Sequence, residues 1–72
     1  MNPQDLSLGI NEIMGHIVIA KNRAMNQDYG GAREQIAQAK KRLSDVSTGY
    51  SPDHPVIVSC NSHINFLEET LP

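Results

Sequence analysis

The stretch Leu6-Ser-Leu-Gly-Ile-Asn-Glu-Ile-Met-Gly-His-Ile-Val-Ile-Ala-Lys-Asn-Arg-Ala24 decides the fold class. Apolar residues fall at Leu6, Ile10, Ile13, Ile17, Ala20 and Ala24, with spacings of 4, 3, 4, 3 and 4. That is the period of one face of an α-helix, which repeats every 3.6 residues, and it does not match the alternation of a strand. Asn2 and Pro3 suit a helix start, because Asn accepts from orphan amides and Pro tolerates the first turn. Asp5 suits the positive end of the helix dipole. The pattern predicts a first helix over about residues 3–25. Gly9 and Gly15 each cost about 1 kcal/mol against alanine. Both fall off the seam and would let a neighbouring backbone come close. A second strip, Met14, Val18 and Met25 with Ile19 further round, widens the apolar arc until one neighbour is not enough to cover it.

Working outward, Asn26-Gln-Asp-Tyr-Gly-Gly31 reads as a break. A second seam follows at Ala32, Ile36, Ala39, Leu43, Val46 and Tyr50, again spaced 4, 3, 4, 3 and 4. It predicts a helix over about 32–48, with Gly49 as its stop. Ala32, Ala37 and Ala39 on its apolar side favour tightly spaced helices. Tyr50-Ser-Pro-Asp-His-Pro55 is a turn with two prolines. Asp53 is then the expected cap of a third helix over about 54–71. Its seam is Ile57, Cys60, Ile64, Leu67 and Leu71. Val56-Ile-Val-Ser-Cys60 also has the β-branched character of a strand, but a lone strand has no partner in such a chain. The expected fold is all-α, an antiparallel helical hairpin plus a third helix. A small three-helix bundle and a hairpin that dimerises through its first helix both satisfy the wide apolar arc.

The 72 residues make one domain at most. A chain this short buries only about 60–65% of the surface its unfolded form exposes. One cysteine excludes an internal disulfide, and one Phe, two Tyr and no Trp leave a lean aliphatic core. Regular helix packing or self-association must supply the rest, so an oligomer is expected. The net charge of −2 lacks the basic excess of a nucleic-acid-binding domain. No run approaches the ~20 apolar residues of a membrane span. Met1-Asn-Pro-Gln-Asp5 does not read as a signal peptide. A cytoplasmic location, with Cys60 as a reduced thiol, is the expectation.

The catalytic inventory is thin. Gly30-Gly31 lacks the Lys-Ser/Thr that completes a phosphate loop. Glu68 and Glu69 point about 100° apart on a helix, so they form a solvated face and not a paired site. Cys60 and His63 share one side of a helix, but His16 and His54 lack the spacing to complete the four ligands of a structural zinc. Cys60 lies on the seam, where apolar surroundings make a thiol inert. No metal or cofactor is expected. The basic residues show more pattern. An antiparallel hairpin would group Lys21, Arg23 and Arg33, with Lys40, Lys41 and Arg42 about two turns away. Such a patch would suit an anionic ligand, a phosphorylated partner or the acidic face of another protein. The alternative is an ordinary solvated face interleaved with Glu and Asp.

Ile36-Ala-Gln-Ala-Lys-Lys-Arg-Leu-Ser-Asp-Val46, the turn ending in His54-Pro55, and the apolar register at Ile57, Val58, Cys60, Ile64 and Leu67 resemble the small sporulation-type aspartyl-phosphate phosphatases. The resemblance covers the C-terminal half, and the first helix has no counterpart in it. It implies a helical hairpin that acts on a phosphorylated response regulator through a Ser-x-x-x-Asp motif on its second helix. Asn61 stands at the Ser position and Asn65 at the Asp position, so the resemblance implies a binding-only relative more readily than a phosphatase.

Three clean seams, spare apolar and basic surface and no catalytic set point to a small non-enzymatic regulatory or inhibitory protein that binds a protein partner. Short aliphatic helical chains of this kind are common among adaptors, anti-activators and phage-encoded inhibitors. The expected binding surface is the second strip of the first helix or the basic patch. Two alternatives stand beside this reading. One is sequestration of a small anionic, nucleotide-like ligand by an oligomer, through Arg33, Lys40 and Arg42 with Tyr29 or Tyr50 as a stacking face. The other is a response-regulator aspartyl-phosphate phosphatase using Asn61 and Asn65.

Overall fold

A computed structural model describes residues 3–72, with side chains from Ser7 onward. The expected cap at Asn2 lies outside the described residues, as do the side chains of Asp5 and Leu6. Three helices follow one another: α1 (Pro3–Met25), α2 (Tyr29–Ser47) and α3 (Pro55–Thr70). Among the described residues there is no strand, and Val56–Cys60 is helical. Contacts between α1 and α2 run in opposite directions along the chain: Gly9 lies against Val46, His16 against Gln35 and Arg23 against Asp28. Lys40 meets Glu68 and Arg33 meets Pro72, so α3 is antiparallel to α2 and runs alongside α1. The result is an up-down-up bundle, 38 × 19 × 14 Å in extent.

The three seams meet in one core. Ile13, Ile17 and Ala20 of α1 are buried with Ile36, Ala39, Leu43 and Val46 of α2 and Ile57, Cys60, Ile64 and Leu67 of α3. Ile10, Met14 and Leu71 pack against its edge. Ala32 is buried as expected, but Ala37 is exposed, so the small-residue side of α2 is narrower than its composition suggests. Gly9 is buried, and a Cβ there would meet Val46 Cγ2 at 2.4 Å. What comes close is thus the Val46 side chain and not the neighbouring backbone that the sequence suggests. Gly15 has open space instead.

The helix ends differ from the sequence reading in three places. First, α2 begins at Tyr29 and takes Gly30 and Gly31 into its first turn. Asp28 is the cap, its Oδ1 accepting from the Gly31 amide at 3.1 Å. The reversal before it rests on Gln27, at φ 64°. There the Asp28 amide donates to Arg23 O at 2.8 Å and the Gln27 amide to Ala24 O at 3.0 Å. These are the two bonds of a Schellman closure, built on glutamine where glycine is usual. Second, Gly49 is not the stop of α2. Thr48 caps it in right-handed helical geometry, and no described glycine has positive φ. The hydroxyls of Ser47 and Thr48 donate to the last-turn carbonyls of Ser44 and Asp45, so no left-handed residue is needed. Third, His54 and not Asp53 caps α3, its Nδ1 accepting from the Val56 amide at 3.2 Å. Pro55, at the first helical position, makes the residue before it the cap.

The left-handed turn at Gln27 carries a prediction. An L-residue there costs roughly 1–2 kcal/mol, and glycine avoids most of it after its own chain-entropy cost of about 0.5–1 kcal/mol. Gln27→Gly is expected to raise the thermal midpoint by several degrees, as read by circular dichroism.

Candidate functional site

The six basic residues are fanned apart by helix geometry. Lys21 and Arg23 are two positions apart, hence about 200° around α1. Lys40, Lys41 and Arg42 are consecutive and diverge by about 100° each. Lys40 turns towards α3, with its Nζ 2.7 Å from Glu68 Oε2. Arg42 turns towards α1, with its Nε 2.9 Å from Glu12 Oε2. That contact is an ion pair without the alignment of a hydrogen bond. Arg33 donates to the backbone oxygen of Pro72. Arg23 reaches Asp28 Oδ2 at 3.0 Å. The Gly31 amide and then the Arg23 guanidinium hold the Asp28 carboxyl below its usual range. Among the described residues, Lys21 and Lys41 make no ion pair.

The fold thus divides the expected patch into three parts. Arg33 and Lys40 line a groove of about 290 Å³ between α2 and α3, with Ile36 and Leu71 as its apolar wall and Glu68 as its acid. Lys41 and Arg42 border a cleft of about 210 Å³ on the α1–α2 side, where Glu12 and Asp45 balance them. His16 Nδ1 lies there 2.7 Å from Gln35 Oε1, tying α1 to α2. Lys21 and Arg23 remain on opposite flanks of α1. No part collects cations without an acid or a carbonyl beside them.

The residues considered for catalysis do not converge. Cys60 is buried, and desolvation pushes its thiol above the ordinary value, whereas His63 is exposed. Among the described residues, no group of three or more His, Cys, Asp or Glu side chains is placed to hold a metal. Tyr50 sets its ring edge-on to His54, with centroids 5.4 Å apart. Tyr29 is half-buried at the start of α2. Asn61 and Asn65 are exposed on α3. Asn61 borders a groove with Lys40, Leu43, Ser44 and Ile57.

Apolar surface is the feature left over. On α1, Leu8, Val18 and Met25 are 61%, 52% and 81% exposed, and Ile19 joins them. Asn11, Gly15 and Asn22 fill the same side, so the outward face of α1 carries no charge from Ser7 to Met25. On α3, Phe66 is 63% and Val58 47% exposed. Ser62 lies between them, one helical turn from each, and Asn65 flanks them. Sequence reasoning found part of the α1 strip but not the α3 pair. The signal for Phe66 was available: it is the only Phe, and it stands beside the third seam and not on it.

Among the described residues, no helix is long and apolar enough to cross a membrane. The chain matches no protein-family model, no curated protein and no solved structure.

Proposed function

We propose that this chain is a non-enzymatic regulatory or inhibitory protein that acts by docking onto another protein through the outer face of α3. The observation that carries this reading is Phe66. A lean aliphatic core would gain most from an aromatic ring, yet the single Phe stands 63% exposed. Val58 flanks it, Ser62 and Asn65 supply uncharged hydrogen-bonding groups, and the exposed carboxylate of Glu69 stands one helical turn from the ring. An exposed aromatic side chain beside a second apolar residue, with polar groups around them, has the composition of an interface hot spot and its rim. The same helix carries Asn61 and Asn65, which fits a binding-only counterpart of the response-regulator phosphatases.

The test is affinity capture by the full chain from the cells that make it, comparing wild type with Phe66→Ala. Truncating a hot-spot aromatic commonly costs at least about 2 kcal/mol, or roughly 30-fold in affinity. A protein retained by wild type should therefore be lost by Phe66→Ala, with helix content unchanged. Identical capture by both overturns the reading.

The groove holding Arg33 and Lys40 favours a second reading, capture of a small anionic ligand such as a nucleotide. The anion would displace Glu68 from Lys40 and lie against Ile36 and Leu71. A nucleotide that raises the melting temperature of wild type but not of Lys40→Ala would support it, since a ligand bound only by the folded state stabilises that state.

A further inference from the structure

We propose that the uncharged outer face of α1 is a self-complementary surface that pairs with a second copy of this chain, the two α1 helices lying antiparallel across a two-fold axis. Leu8, Asn11, Gly15, Val18, Asn22 and Met25 follow one another at spacings of 3, 4, 3, 4 and 3. That is the heptad seam of a helix pair, and it lies opposite the seam already spent on the core. All six residues are exposed in the single chain. The seam spans about 25 Å of helix.

The choice of a second copy rests on how the seam reads in reverse. Leu8 and Met25, Asn11 and Asn22, and Gly15 and Val18 lie at equal distances on either side of the midpoint between His16 and Ile17. A two-fold axis through that midpoint sets Leu8 against Met25 of the second copy and Asn11 against its Asn22. Gly15 then faces Val18. Each layer is complementary. Two long apolar side chains meet at the ends. Two carboxamides, each with donors and an acceptor, meet inside them. At the centre a β-branched side chain enters the open space over Gly15, where nothing lies within 4 Å of a would-be Cβ. Parallel pairing would set Gly15 against Gly15 and leave a void, and it would align the helix dipoles unfavourably. The absence of charge removes the repulsion that a two-fold imposes when it sets like against like. Buried amide pairs also fix register, because any slip leaves them facing apolar side chains. The pairing uses α1 alone and does not depend on docking at α3.

Sedimentation equilibrium of the full chain tests the proposal. Wild type is expected at twice the 7.9 kDa chain mass. Val18→Glu, which places a carboxylate next to the axis in both copies, is expected at the single-chain mass with wild-type helix content, because Val18 is outside the core. A wild-type chain that stays monomeric at millimolar concentration overturns the proposal, as does any assembly other than two chains or a Val18→Glu dimer. Direction is read from disulfides. When Asn11→Cys and Asn22→Cys chains are mixed under oxidation, the cross-link between unlike chains should dominate. Like-with-like cross-links in excess would overturn the antiparallel arrangement. Val18→Glu should still capture whatever Phe66 captures, so failure of the pairing and failure of the docking surface are told apart.

Discussion

Ile17→Ala is expected to remove a large part of the stability of this molecule. Ile17 is fully buried, and it lies on α1 where the α2 and α3 seams converge. Truncating a fully buried isoleucine costs about 2–5 kcal/mol, the loss of transfer free energy plus the cavity left behind. A domain of this length holds roughly 4–11 kcal/mol in total. The cost should fall towards the upper end, because the core cluster is mostly aliphatic and has no aromatic ring to fill the gap. Urea unfolding followed by circular dichroism should show a midpoint lowered by a third or more with little change in slope. A midpoint within experimental error of wild type would mean that α1 is not the centre of the core.

Gly9→Ala is the second large effect, and its sign runs against helix propensity. In an exposed helix position the change would stabilise by about 1 kcal/mol. Here the new methyl would lie 2.4 Å from Val46 Cγ2. The close atom is a methyl of a stiff β-branched side chain on a packed helix, so Val46 must leave its rotamer or α1 and α2 must separate, and overpacking of this kind costs about 1–3 kcal/mol. A net loss of about 1–2 kcal/mol is expected. The diagnostic is the double-mutant cycle with Val46→Ala. Removing the valine methyls should relieve the clash, giving a favourable coupling of about 1 kcal/mol or more in urea melts. Additive single effects would show that Gly9 does not set the helix separation.

The sequence exposes the three helices because each buries one stripe, and a stripe on a helix repeats at intervals that can be counted. The ends were harder to read, because capping depends on backbone geometry that several residue types can supply. Gly30 and Gly31 look like a break, yet a single aspartate before them starts the helix. Gln27 occupies a conformation that favours glycine, and nothing in its composition announces it. The basic residues mislead for another reason. Lys40, Lys41 and Arg42 are neighbours in the chain but diverge on the helix, and the partners of Lys40 and Arg42, Glu68 and Glu12, belong to other helices. The outer seam of α1 was half legible, because Asn11, Gly15 and Asn22 do not register in an apolar pattern although they occupy its positions.

The corner between α1 and α2 has a kinetic consequence. Its hydrogen bonds join residues 22–32 only, and the connection between the helices is three residues long. Closing so short a loop costs little entropy, and chains dominated by near-neighbour contacts fold on the microsecond-to-millisecond scale. The hairpin is therefore the natural nucleus, with α3 docking afterwards across the longer proline-containing connection. Substitutions at the corner should slow folding, whereas those confined to α3 should mainly hasten unfolding. The helix that carries the exposed Phe66 is thus the last to arrive and the first to leave.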